Sequence, residues 1–129
     1  MKLALTTLVV PDYDAGIAFF VDTLDFDLIE DSDLGSGKRW VVVGGADGGR
    51  LLIAKATTET QTAAIGNQTG GRVGFFAHTD DFAGTQARLV DAGILLHAQP
   101  RHESYGTVAV FSDPFGNRWD LIEPKEPAQ

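Results

Sequence analysis

Along the chain, apolar and polar positions alternate, regroup at helical spacing and alternate again, and this succession occurs twice. Lys2–Val10 is rich in Leu, Thr and Val and stops at Pro11, which reads as a strand. Asp12 or Asp14 then offers a carboxylate to the free N–H groups that open a helix. Ile17, Phe20, Val21 and Leu24 give that helix one apolar stripe. Phe26–Glu30 alternates as a short strand, and residues 31–38 (DSDLGSGK) read as a loop. Arg39–Gly44 and Arg50–Ala56 read as strands joined by the hairpin signal GADGG.

Residues 57–71 (TTETQTAAIGNQTGG) are polar with almost nothing to bury, and read as a linker or a flap. The second pass opens with a strand at Arg72–His78 and a helix capped by Asp80 or Asp81. Phe82, Ala83, Ala87, Leu89 and Val90 supply the apolar side of that helix, and Gly93 is placed to end it. Ile94–Ala98 reads as a strand and residues 100–106 (PRHESYG) as a loop. Thr107–Phe111 and Arg118–Ile122 read as strands joined by SDPFGN, where Pro114 fixes φ and Gly116 permits a positive φ.

A shift of 68 positions lays Gly48 on Gly116, Arg50 on Arg118 and Ile53 on Leu121. The same shift lays Asp12 on Asp80, Ala18 on Gln86, Phe20 on Arg88 and Phe26 on Ile94. The expected architecture is one α+β domain of two βαβββ modules related by a pseudo-twofold repeat. Residues 1–56 form the first module, 57–71 the linker and 72–124 the second module. Each helix covers one face of its sheet, and the other face must bury itself against the second copy or a second chain.

Charge and composition narrow the function. The chain has 129 residues, a net charge of −8 and no cysteine. Disulfides and thiolate metal sites are therefore excluded, and a cytoplasmic location is expected. Ten scattered basic residues do not make a phosphate-binding surface, so nucleic acid is excluded as a partner. No stretch approaches the roughly 20 apolar residues of a membrane span, and the N-terminus lacks the longer apolar core of a signal peptide. An acidic surface attracts a cationic small molecule.

This order of elements, closed by FSDPFGNRWDLIEP, resembles the vicinal oxygen chelate superfamily. That group includes glyoxalase I, extradiol dioxygenases, and bleomycin and fosfomycin resistance proteins. The resemblance covers Leu3 to Pro124, and DPFGNRWDL is its most specific piece. LVVPDYDAGIAFFVDTLDF resembles the family's opening strand and helix, and HTDDFAGTQARLVDAGI those of the second copy. The resemblance implies a glyoxalase/bleomycin-resistance-like fold whose curved mixed sheets surround a cleft, in a homodimer.

In the family's enzymes, as the resemblance implies, His, Gln or Glu side chains hold a divalent metal. They come from the first and last strands of each copy. The matching positions here are Leu5, Leu52, Gly74 (Val73 if the register slips by one) and Asp120. Only Asp120 can coordinate a cation, and a hard cation needs several oxygen ligands. No metal and no cofactor are expected. His78, His97 and His102 lack the close spacing of a metal motif.

By strand alternation Phe76 and His78 share the face of Gly74, Ile122 that of Asp120, and Thr7 that of Leu5. With Leu52 they would line a mostly apolar pocket with one carboxylate and one imidazole, as small-molecule sites do. His102 and Tyr105 offer flat faces and polar tips for a rim. Trp119 should point away from Asp120 into the core, one of Phe75 and Phe76 should be core, and Trp40 either lines the cleft or closes a dimer. The leading expectation is a metal-free small-molecule-binding protein that sequesters an antibiotic or toxin. The alternative is an enzyme of the same superfamily. It would be a metal-dependent lyase, isomerase or dioxygenase, or a metal-free acid–base catalyst using Asp120 and His78.

Overall fold

Each half of the chain folds around its own four-stranded mixed sheet, and neither sheet closes into a barrel. In the computed structural model, which describes residues 1–125, one compact unit is Met1–Gln68 and the other runs from Thr69 onward.

The first unit contains β1 (Thr6–Val10), α1 (Tyr13–Ile17), β2 (Asp27–Gly35), β3 (Lys38–Gly44), β4 (Arg50–Lys55) and α2 (Glu59–Ala64). Its strand order is β1-β4-β3-β2, with β1 parallel to β4 and the other pairs antiparallel. Asp12 opens α1 by accepting a hydrogen bond from the Ala15 N–H at 3.0 Å. The helix continues as a π-helical segment, Ala18–Thr23, that buries Phe19 and Phe20. Leu8, Val10, Val41, Val43 and Ile53 are fully buried in the same unit. A Cβ on Gly16 would stand 2.8 Å from Ile53 Cγ2, so the bare backbone there lets α1 lie against β4.

The structure differs from the sequence expectation in two places here. The first strand starts at Thr6 instead of Lys2. Residues 31–35 continue β2, and the loop shrinks to a tight turn with positive φ at Gly35 (87°), Ser36 (55°) and Gly37 (79°). Most of β2 is exposed, because it is the edge strand, so it carries no apolar alternation to read.

Residues 57–71 are more than a linker. Thr58 Oγ1 accepts from the Gln61 N–H at 3.1 Å and opens α2. Gln68 then serves the free edge of β1: its Oε1 accepts from the Val9 N–H at 2.6 Å, and its Nε2 donates to the Thr7 carbonyl at 2.9 Å. One side-chain amide thus satisfies an edge that would otherwise pair with another chain.

The second unit contains β5 (Val73–His78), α3 (Phe82–Asp91), β6 (Arg101–Glu103), β7 (Gly106–Ser112) and β8 (Arg118–Pro124), in the order β5-β8-β7-β6. Asp81 caps α3 by accepting from the Gly84 N–H at 3.0 Å, and Gly93 ends it with φ 80°. Phe82, Leu89, Ala109, Phe111, Trp119 and Leu121 are buried. Ile94–Ala98 does not form a strand: only Leu96 makes an isolated bridge, to Phe111. The short strand instead lies at Arg101–Glu103, inside the stretch that reads as a loop.

The repeat is real, but its offset changes along the module. The caps Asp12 and Asp81, and the fully buried Phe20 and Leu89, lie 69 positions apart. The paired residues Val41/Ile53 and Ala109/Leu121 lie 68 apart. Asp12 therefore matches Asp81 instead of Asp80, and Phe20 matches Leu89 instead of the exposed Arg88. Two irregularities are of the right size. β5 carries an extra residue between Val73 and Phe75, and the first helix contains a wide turn closed by Leu24 N–H on the Phe19 carbonyl.

Candidate functional site

Alternation sorts the two sides of each sheet. In the first unit Thr7, Leu52 and Val42 form one rung, and Val9 and Ala54 share their side. The opposite side carries Leu8, Ile53 and Val41 against α1. In the second unit Phe76, Asp120 and Val110 form the matching rung, followed by His78, Ile122 and Val108. Phe75, Trp119 and Phe111 lie on the other side as a ring stack, Phe75 and Trp119 having centroids 4.9 Å apart.

Thr7 and Leu52 therefore come together in one unit, and Phe76, His78, Asp120 and Ile122 share a face in the other. Phe76 is 62% exposed and Asp120 half-buried. Asp120 sits beside Phe76 and His78 beside Ile122, so the expected acid–base pair are diagonal neighbours. Among the described residues no hydrogen bond or ion pair joins them. Leu5 precedes β1.

His102 and Tyr105 do not join the Asp120 face. His102 pairs with Thr107, on the helix side, with its Nδ1 3.3 Å from Thr107 Oγ1. Arg101 takes the Asp120 side in its place, opposite Val108. Tyr105 occupies the turn before β7, exposed, and its carbonyl accepts from the Lys125 N–H. His97 is exposed, with its Nε2 2.9 Å from Ser112 Oγ.

The four family positions do not fit a divalent cation. Leu5 and Leu52 offer no donor. Gly74 lies in the irregularity of β5, and the space a side chain there would need is filled by Thr69. Thr69 is fixed in turn, its hydroxyl donating to the Arg72 carbonyl at 2.6 Å. Asp120 alone cannot hold a hard cation. Among the described residues no group of three or more His, Asp or Glu side chains converges as metal donors.

The first unit holds a concavity whose shape no sequence pattern announces. The β3–β4 ladder ends at Val41 and Ile53. Beyond that rung β3 stays with β2 (Trp40 opposite Ser32), while β4 stays with β1 (Ala54 opposite Val9). The sheet forks, and the fork opens a groove of about 550 Å³ that also reaches Thr7 and Leu52. Ile53 and Tyr13 line it, with Trp40 and Lys38 on the β3 arm and Ala54 and Lys55 on the β4 arm. The Tyr13 hydroxyl accepts from the Arg39 N–H at 3.2 Å, on the side where β3 has lost β4. Three residues singled out in the sequence line this groove: Thr7, Leu52 and Trp40, the last 37% exposed.

Arg39 builds the outer wall. Its guanidinium lies 5.2 Å from the Tyr13 ring centroid and bonds Asp31 at 2.7 Å and Asp14 at 2.9 Å. The Asp31 carboxyl is held below the usual range by that hydrogen bond, and Arg39 is raised above its own by the same bond and that to Asp14.

The model of the Glyoxalase/Bleomycin resistance protein/Dioxygenase superfamily matches residues 2–121. An uncharacterized protein of Shewanella frigidimarina is 50% identical over 119 residues, which is 90% of this chain and 88% of that one. The structure of TnmS3, an antibiotic binding protein from a Streptomyces species, superposes with a TM-score of 0.73 at 28% identity, covering 97% of each chain. A bleomycin-binding protein solved with bleomycin superposes at 0.63 and 22% identity, covering 97% of this chain and 100% of that one, and shares the fold. The family match, the two βαβββ sheets and these likenesses agree: the chain belongs to the Glyoxalase/Bleomycin resistance protein/Dioxygenase superfamily.

Proposed function

We propose that the protein binds a small molecule bearing a flat aromatic ring, without a metal ion, and that its role is to sequester an antibiotic or toxin. The groove in the forked sheet carries this reading. Its volume of about 550 Å³ is of the size small-molecule sites have, and Trp40 gives it a flat wall. The likeness to TnmS3 supports the ligand class, and the missing donors at Leu5, Leu52 and Gly74 support binding without a metal. Thr7 and Leu52 contact the ligand in the groove. Phe76, His78, Asp120 and Ile122 form a further contact surface in the second unit. The working form in this reading is a cytoplasmic homodimer, which light scattering behind size-exclusion chromatography checks.

The chain's two tryptophans make the test direct. Trp119 is 3% exposed and Trp40 37%, so a ligand in the groove should quench Trp40 and leave Trp119 emitting. Saturable quenching by the neutral probe 2-naphthamide is expected. Trp40→Ala should weaken binding about tenfold or more, since a stacked, desolvated ring contributes roughly 1–3 kcal/mol. Silence at millimolar probe, by fluorescence and by calorimetry, would remove the reading. Elemental analysis of protein purified without chelator should find no stoichiometric metal. One equivalent of zinc, nickel, manganese or iron would favour the metalloenzyme instead.

A further inference from the structure

Resting on the reading that the groove binds an aromatic ligand, we propose that this ligand is an acid, carrying a carboxylate or an equivalent anion beside its ring. The protein's net charge of −8 points the other way, and an acidic surface would recruit a cation. The groove has the opposite character. Three cations line it, Lys38, Arg39 and Lys55, and no carboxylate does.

The three cations differ in what they have left to offer. Arg39 is held by Asp14 and Asp31, at 2.9 and 2.7 Å. Lys38 and Lys55 make no ion pair among the described residues, and they stand on opposite arms of the fork. Lys38 extends from the side of β3 that carries Trp40 and Lys55 from the side of β4 that carries Ile53; both residues line the groove, and neither is compensated in advance by an ion pair.

A third donor follows from a different observation. Gln61 Oε1 accepts from the Thr57 N–H at 2.8 Å and from the Thr57 hydroxyl at 3.1 Å. A backbone N–H can only donate, so it fixes which end of the amide is oxygen. The Gln61 Nε2 hydrogens then remain to donate, and no partner takes them among the described residues. Gln61 lines the same groove. Two lysines free of ion pairs and an amide N–H₂, in a lining that also holds Trp40 and no carboxylate, favour an aromatic acid. An aromatic ammonium ion would be repelled there.

Matched probes separate this proposal from the binding reading beneath it. 2-Naphthoate, 2-naphthamide and 2-naphthylmethylammonium share one ring and differ in charge. Naphthoate should bind about tenfold tighter than the amide, and the ammonium more weakly, since two partly screened charge contacts act together. Its affinity should fall with salt while that of the amide holds. The double variant Lys38→Gln/Lys55→Gln should lose the preference for naphthoate over the amide. Both lysines are exposed, and an unchanged melting temperature confirms that the variant folds. Equal affinity of all three probes, or an unchanged naphthoate preference in the double variant, would overturn the acid proposal while leaving aromatic binding intact. Failure of every probe to quench Trp40 would overturn both.

Discussion

Asp113→Ala is expected to cost roughly 3 kcal/mol or more, a large share of the stability of a domain this size. Asp113 is 4% exposed, in the turn between β7 and β8, and its two oxygens serve four donors. Oδ1 accepts from the Phe115 and Asn117 N–H groups, each at 3.0 Å. Oδ2 accepts from Asn117 Nδ2 at 2.9 Å and from Trp119 Nε1 at 3.0 Å. Alanine strands these donors where water does not replace the carboxylate. Asp113→Asn distinguishes this network from a merely tight turn. The asparagine oxygen can serve one pair, but its NH₂ then faces the donors of the other. Both variants should therefore lower the urea midpoint, and Trp119 emission should shift as its indole N–H loses its acceptor. Asp113→Asn with wild-type stability would show that the turn does not depend on the carboxylate.

The same network explains why the family was legible and the function was not. DPFGNRWDL is the most specific stretch of the chain, and Asp113, Asn117 and Trp119 use it to fix a turn and anchor an indole beneath the sheet. The motif therefore reports the fold with little chemistry in it. Strands with one buried side were also readable, because their alternation is written in Val, Leu and Ile. The structure shows the two modules, but no single offset relates them, because an extra residue in β5 and a wide turn in the first helix shift the match.

What sequence could not show depends on polar residues acting locally. β2 is an exposed edge and α2 buries no residue, so neither has an apolar period. Gln68 closes the β1 edge through two backbone bonds that no pattern announces. The groove exists because β3 joins β4 only from Val41 onward, a choice of partner made by strand pairing. His102 illustrates the same limit. Its position in HESYG suggested a rim, but a short strand turns it to the helix side, and one residue of register decides which side chain faces a ligand.

Phe20→Ala should be as damaging as the loss of Asp113, by an apolar route, at about 3–5 kcal/mol. Phe20 is fully buried, edge-on to Phe19 at 5.1 Å and stacked on Phe26 at 6.0 Å. It sits in the π-helical segment that extends α1, and α1 is held close to β4 at Gly16. Rigid strands on one side and two rings on the other leave few atoms able to fill the void, which places the cost toward the upper end. Leu89, its fully buried counterpart in the second unit, should cost about 2–5 kcal/mol as alanine, while Val90→Ala, 49% exposed, should stay within about 0.5 kcal/mol. Urea unfolding of the three variants checks the order. The loss at Phe20 also reaches the groove, since α1 carries Tyr13, whose hydroxyl ties down the Arg39 backbone. At temperatures where Phe20→Ala remains folded, its affinity for 2-naphthamide should fall, whereas Leu89→Ala, at matched loss of stability, should bind as the parent does. Equal affinity in both variants would show that the helix core and the groove are not coupled.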